Sequence, residues 1–266
     1  MQLNLPLWQI ERIACSLQFL EIHSAAYEQA HHNQLLFDKP LVPQIKIVLT
    51  FHTNFFYPLP TKNYPLNMIY SFKNHIPVVH ESSFVHPLAA VTGNVIIGKN
   101  CYIGPGAAIR GDWGEIILED GVNVQENCTV HMFPGKSITL KEGAHVGHGA
   151  VIHGANLGRN CLIGMNSVIM DDTQIGDESI VGAMAFVKAE TIIPKRSLVV
   201  GNPAKVIKEV SDEMIAWKTA GTKLYQQLPA DCHESLRAVE PLREIPINRP
   251  VQEDFYKTLQ DLKKGK

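Results

Sequence analysis

Residues 157–187 read LGRNCLIGMNSVIMDDTQIGDESIVGAMAFV, and an aliphatic residue returns every sixth position: Leu157, Ile163, Ile169, Ile175, Val181, Val187. The same spacing runs backwards through Leu140, Val146 and Ile152, through Leu118, Val124 and Val130, and through Val85, Val91, Ile97, Ile103 and Ile109. All seventeen anchors are Ile, Val or Leu. Four positions after an anchor the residue is usually small, as at Ala89, Cys101, Ala107, Cys128, Ala144, Ala150, Cys161, Ser167, Thr173, Ser179 and Ala185. Gly often follows the anchor directly, as in IGKN, VGHG, LGRN and IGDE. A period of six is neither the 3.6 of a helix nor the 2 of an isolated strand. It fits a short strand and a tight turn, repeated, with three units closing one triangular coil of about eighteen residues. The expected fold is therefore all-β: a parallel β-helix of hexapeptide repeats, its anchors stacked inside a prism. A β-sandwich would instead show strict alternation with turn signals every eight to twelve residues.

The flanks carry no such register. Residues 1–67 are expected to be an N-terminal extension, poorly ordered, with loop-like clusters such as YPLPTKNYPLN. The β-helix domain is placed at 68–207 and a C-terminal helical segment at 208–266. Ser211 is the expected N-cap of a first helix, with Asp212 and Glu213 in its first turn and Pro229 stopping it. Met214, Ile215, Trp217, Leu224 and Leu228 are expected to pack on the prism. Short helices over 230–238 and 251–263 would follow, the tail capping an open end of the β-helix.

The chain has 266 residues and a formal charge of −2, from 24 basic and 26 acidic side chains. No basic excess is present to neutralise phosphates, which argues against nucleic acid as a partner. No run of eighteen apolar residues suggests a membrane span. Five cysteines without a CxxC, and an N-terminus without a basic signal-peptide start, fit a reducing, cytoplasmic setting. Cys101, Cys128 and Cys161 fall at small-residue positions and read as core filler.

The register slips three times, and loops leaving a rigid scaffold are where function concentrates. Ile109 to Leu118 is nine residues, Val130 to Leu140 is ten, and Ile152 to Leu157 is five. Arg110, His131 and His153 each directly follow an anchor. Ile109 to Val130 is 21 residues and Val130 to Ile152 is 22, each one coil plus its insert. The three side chains should therefore form one column, about 4.8 Å per step. His131 and His153 at that spacing suit a shared metal. His148, two residues after Val146, belongs to the preceding face, beside Gln125 on the neighbouring coil. It joins the same metal only from a second subunit, as in three prisms around a three-fold axis. Three neutral imidazoles form a catalytic zinc set with a fourth position for water, whose pKa falls to about 7. His145 fits no ligand column; His80 and His86 read as structural.

RGDWGEIILEDGVNVQENCTVH (110–131) followed by HVGHGAVIHG (145–154) resembles the γ-class carbonic anhydrase-like hexapeptide family. The resemblance runs from about 76 to 207. It implies a left-handed winding, a homotrimer, and the metal ligands His131, His148 and His153, with His148 reaching across the subunit boundary. The metal would be Zn2+ or another divalent ion such as Fe2+ or Co2+. Arg110 and Asp112 correspond to paired interface residues, and Gln125 to the residue that hydrogen-bonds the metal-bound water. MIYSFKNHIPVVHESSFVHP (68–87) and SDEMIAWKTAGTKLYQQLPADCHESLRAVEPLRE (211–244) extend the resemblance to the subfamily of the phenylacetic acid degradation (PaaY) and carnitine operon (CaiE) proteins. The first branch implies a hydrolase of CoA thioesters, with acyl-CoA as the small-molecule partner; the second implies a carnitine-linked accessory role.

The archetypal anhydrases carry a Glu after the RGD and an acidic loop near the first ligand. Here Trp113 follows Asp112, and the loop after His131 is MFPGKS, without a carboxylate. Glu115 and Glu126 are not at the matching positions. The ligand set is intact while the proton shuttle is missing, which favours thioester hydrolysis over rapid CO2 hydration. A hexapeptide acyltransferase, needing a single His base, is the other enzymatic alternative. Lys188, Lys195, Arg196 and Lys205 are available to a CoA phosphate but equally suit a solvated surface.

Overall fold

The computed structural model describes residues 68–252, 256–258, 261 and 264; the expected extension 1–67 lies outside them. The repeat forms a left-handed parallel β-helix of about seven coils, followed by a C-terminal helix. Face 1 stacks β1 (Ile69–Tyr70), the first half of β4 (Ala90–Ile97), the first half of β6 (Ala108–Leu118), β8 (Thr129–His131), β11 (Val151–His153), β14 (Val168–Ile169) and β17 (Phe186–Val187). Face 2 stacks β2 (Val78–Val79), the second halves of β4 and β6, β9 (Ser137–Leu140), β12 (Asn156–Leu157), β15 (Gln174–Ile175) and β18 (Ile192–Ile193). Face 3 stacks β3 (Phe84–Val85), β5 (Tyr102–Ile103), β7 (Asn123–Val124), β10 (His145–Val146), β13 (Leu162–Ile163), β16 (Ile180–Val181) and β19 (Ser197–Gly201). The antiparallel β20 (Ala204–Glu209) ends that sheet, and it carries strand two residues past the expected 207 boundary.

The anchors pair rung on rung, with Ile109 on Val130, Val130 on Ile152 and Ile152 on Ile169. Sixteen of the seventeen are buried, and Val85 packs half-buried against them. The small positions fill the corners; Cys101, Cys128 and Cys161 are fully buried there. Coils this close leave no room at the Gly after an anchor. A Cβ on Gly164 would meet the backbone nitrogen of Ala183 at 2.4 Å.

The C-terminal segment departs from expectation. One helix, α1 (Asp212–Ser235), starts at Ser211, whose hydroxyl accepts from Met214 N at 3.3 Å. It runs straight through Pro229, which is buried inside it. It lies along face 3, touching β3, β5 and β7, and does not cap an end of the prism. Its inner side is polar. Lys218, Thr222 and Pro229 are its buried residues, whereas Leu224 is exposed. Lys218 Nζ donates to Gly143 O at 2.9 Å and to Asn160 Oδ1 at 2.7 Å, and His233 Nε2 bonds Ser83 O at 3.1 Å. Residues 230–235 continue α1, residues 236–240 are irregular, and most of 251–263 lies outside the described residues. Among the described residues no helix is long and apolar enough to cross a membrane.

Candidate metal centre

The column predicted from coil counting is present: Arg110 pairs with His131, and His131 with His153, in register on face 1. Strand alternation turns the anchors Ile109, Val130 and Ile152 inward and carries the chain toward the corner with face 2, where the three polar side chains emerge. Nδ1 of His131 lies 3.1 Å from Nε2 of His153. Two ligands of a tetrahedral ion with bonds of 2.0–2.1 Å stand about 3.3 Å apart, so these nitrogens already sit at ligand spacing. The far nitrogen of each ring is held by a carboxylate: His131 Nε2 lies 3.2 Å from Asp112 Oδ1, and His153 Nδ1 bonds Asp171. Outer carboxylates of this kind fix ring orientation and tautomer and raise ligand basicity. Burial, and after it the Arg110 guanidinium, holds the His131 imidazole below its ordinary pKa, so it is neutral and able to ligate.

Asp112 bridges the column. Its other oxygen takes a 2.8 Å bond from Arg110 Nη1, the pairing expected from the sequence. The Arg110 guanidinium lies 5.6 Å from the Trp113 ring, and Trp113 packs 5.3 Å from the His131 ring. Phe133 meets His153 edge-on at 5.0 Å. The two inserts stack as one wall, with Gly135 N donating to Trp113 O at 3.0 Å. Both rings are partly exposed beside the imidazoles, Trp113 at 51% and Phe133 at 38%.

His148 sits apart, at the corner between faces 3 and 1. Its Nδ1 bonds Glu126 Oε2 at 2.5 Å, and Tyr102 donates to the other oxygen of Glu126 at 3.1 Å. Burial pulls the Glu126 pKa up, but bonds from its own backbone, from His148 and from Tyr102 outweigh it and leave the carboxyl below its ordinary value. The register sets His148 beside Glu126 and Gln125 beside Gly147, since Gln125 N donates to Val146 O at 3.0 Å. Among the described residues of one chain, no three His, Cys, Asp or Glu side chains are grouped closely enough to hold a metal ion. His131 and His153 are brought together; His148 is on another corner of the same prism. Three histidines thus share one design, each with a carboxylate on one ring nitrogen. Asp171 and Glu126 are the partners that sequence reasoning did not assign. Asp171 stood in plain view by coil arithmetic, eighteen residues after His153.

Gln125 is buried at 1% exposure beneath α1, its Nε2 bonded to Asn123 Oδ1 at 2.9 Å. His145 is half-buried beside it, and desolvation followed by the charges of Lys218 and His148 drives its pKa down to about 3. His80 Nδ1 bonds Ser82, and His86 Nδ1 accepts from Leu88 N at 3.1 Å, both turn-closing roles. Of the four basic residues near the end of the prism, Arg196 is engaged by Asp212 and Glu209.

Comparison with known proteins agrees with this architecture. Residues 76–111 and 154–189 match the family described as bacterial transferase hexapeptide (six repeats), and 94–132 match the hexapeptide repeat of succinyl-transferase. The carnitine operon protein CaiE of Escherichia coli K12 is 49% identical over 181 residues, covering 68% of this chain and 92% of that protein. CaiE of Escherichia coli O157:H7 matches to the same extent. A Bacillus cereus protein provisionally described as an acetyltransferase superposes with a TM-score of 0.62 at 33% identity, over 63% of this chain and 97% of that one. A hexapeptide transferase family protein from Anaplasma phagocytophilum gives a TM-score of 0.60 at 27% identity, over 62% and 98%.

Proposed function

The chain belongs to the CaiE family of hexapeptide-repeat proteins, and from that premise we propose that it is a metal-dependent hydrolase of CoA thioesters, working as a homotrimer with a site at each subunit boundary. The observation that carries this reading is the facing nitrogens of His131 and His153, 3.1 Å apart and each backed by a carboxylate. With the outer nitrogen of each ring on a carboxylate, the two facing nitrogens are the ones left to ligate.

The trimer follows from where the corners lie. His131 and His153 stand at one edge of face 1, and His148 at the other. If each His148 completes the neighbour's pair, all three copies must turn face 1 toward the common axis. The outward residues of face 1 suit that position: Ala90, Ala108, Thr129, Val151, Val168 and Phe186 are small or apolar and carry no charge. A closed ring needs no further partner.

A divalent ion at the three histidines, Zn2+ or alternatively Fe2+ or Co2+, would supply Lewis acidity and a water of pKa near 7. The chain's own groups do the rest. Asp112, Asp171 and Glu126 hold the imidazoles of His131, His153 and His148, leaving one nitrogen of each ring to bind the ion. Gln125 is the residue that would hydrogen-bond the water once the neighbouring subunit completes the site. Trp113 and Phe133 keep bulk water off the acyl carbon. A thiolate leaves without a strong acid, which matches the acid-free MFPGKS loop; rapid CO2 hydration requires a proton carrier that this loop lacks.

The test is metal analysis of the purified protein, with acyl-CoA hydrolysis and stopped-flow CO2 hydration measured on the same sample. The expected result is about one metal per chain, thioester turnover that a chelator abolishes, and hydration far below that of efficient anhydrases. Fast hydration without thioester turnover would make it an anhydrase. Acyl transfer to an added amine or alcohol, unaffected by chelation, would make it a transferase like those its fold resembles.

A further inference from the structure

His148 differs from the other two histidines in how its carboxylate is held. Asp112 and Asp171, beside His131 and His153, are short side chains and mostly covered. His148 stands on an open corner with its side chain 47% exposed, and its partner Glu126 is longer and 32% exposed. A glutamate with a single contact on such a corner keeps much of its rotamer freedom. Tyr102 supplies a second contact. Its hydroxyl donates to Glu126 Oε1 at 3.1 Å, while Oε2 takes the bond from His148 Nδ1 at 2.5 Å. The Tyr102 ring is itself buried, stacked on Phe84 with centroids 6.3 Å apart and planes at 14°, and met by Tyr225 of α1 at 5.9 Å. Burial, and after it the charge of Glu126, pushes the phenol above its ordinary pKa, so the hydroxyl keeps its proton.

An ionised carboxylate only accepts hydrogen bonds. Both neighbours of Glu126 must therefore donate, which fixes the direction of each bond. Tyr102 gives its hydroxyl proton, and His148 carries a proton on Nδ1. In the neutral ring Nε2 is then bare. Turning the ring over would set a carbon against Glu126 and lose the bond.

We propose that Tyr102 is a positioning residue for the third imidazole: by pinning the free oxygen of Glu126, it holds the His148 ring with its proton on Nδ1 and Nε2 left to ligate. Arg110 does the same for Asp112, whose second oxygen it occupies at 2.8 Å, so a charged donor pins one outer carboxylate and a phenol pins another. Through Tyr225, helix α1 bears on the third ligand as well as on the prism. The inference rests on the reading above, in which His148 completes a neighbour's metal site.

Tyr102→Phe keeps the ring and its packing and removes the hydroxyl alone, and two measurements read the effect. In the metal-free protein at about pH 8, where imidazoles are neutral, the ring-nitrogen chemical shifts of His148 show its proton on Nδ1. Tyr102→Phe lowers the ratio of the Nδ1–H to the Nε2–H form at least about threefold. Zn2+ affinity, read by competition with a coloured chelator, falls about tenfold in the same variant. Adding Tyr102→Phe to Glu126→Ala then changes that affinity less than about twofold, because the hydroxyl reaches the ring only through the carboxylate. The proposal falls if the wild-type ring is protonated on Nε2 or if Tyr102→Phe leaves the tautomer ratio unchanged. It falls too if, in a protein that takes up Zn2+, Tyr102→Phe leaves the affinity unchanged or its loss is undiminished beside Glu126→Ala. The tautomer change in a protein that takes up no Zn2+ would instead retire the metal-dependent reading and leave the positioning of the ring in place.

Discussion

Asp171 illustrates how single residues set this site. Its carboxylate holds His153 in the orientation that faces His131. Asp171→Asn should weaken metal binding about 10–100-fold, read by competition with a coloured chelator, with the coils still folded. The buried thiols make a second expectation. Burial pushes Cys101 and Cys128 up to about 11 and Cys161 to about 12, from the ordinary 9. Between pH 9 and 11 the unfolded chain loses these protons while the folded chain keeps them. Folding stability therefore falls as pH rises through that window. Urea midpoints at pH 8 and 10 should differ less in Cys161→Ala than in the wild type. The column of Arg110, His131 and His153 was legible from sequence, because a coil of eighteen plus an insert is simple counting. Glu126 and Asp171 obeyed the same counting, but a lone acidic residue on a surface turn gives no reason to choose it. The burial of Gln125 was not legible at all, since it depends on a helix that approaches from far along the chain.

At the scale of elements, the strands followed the period, and the helix followed its apolar residues only in part, burying Lys218 and Thr222 more deeply than any of them. The sequence suggested a stripe through Trp217, Leu224 and Leu228 and a stop at Pro229. The structure half-buries Met214, Ile215, Trp217 and Leu228, exposes Leu224, runs the helix past Pro229, and adds a seam of hydrogen bonds. The reason lies in the prism, which leaves carbonyls such as Gly143 O and Gly121 O at the corner between faces 2 and 3. Lys218 and Gln226 of α1 supply donors to them. Pro229 forfeits one helical hydrogen bond, and its burial against the prism offsets the loss. Lys218→Ala should cost about 1–3 kcal/mol in urea titrations, the penalty of leaving Gly143 O and Asn160 without their donor. Acid should loosen the same seam. His145 is neutral in the folded chain down to about pH 3, whereas its unfolded counterpart binds a proton below about 6.5. Stability is therefore complete above 6.5 and falls as pH drops toward 3. Thermal melting at pH 7 and 4.5 should separate by less in His145→Phe.

For the whole molecule, the prism is single-cored, and the proposed metal site draws its third ligand from outside the one chain. The face that would meet the axis can be tested without touching any ligand. Val151→Glu and Val168→Glu place charges on face 1, where the three copies of the proposed trimer would converge. Each should yield monomers by sedimentation and, with them, loss of metal. A metal-loaded monomer would mean that the third ligand lies elsewhere. The separation of His131 and His153 from His148 on two edges of one face has a genetic consequence. A chain with His131→Ala still offers an intact His148 to its neighbour, and a chain with His148→Ala still offers an intact pair. Neither alone builds a working boundary. Co-expressed in equal amounts and assembled at random, they restore a complete ligand set at about a quarter of all boundaries. Two recessive lesions in one gene would then complement each other, and a cell carrying both alleles would recover what each had lost.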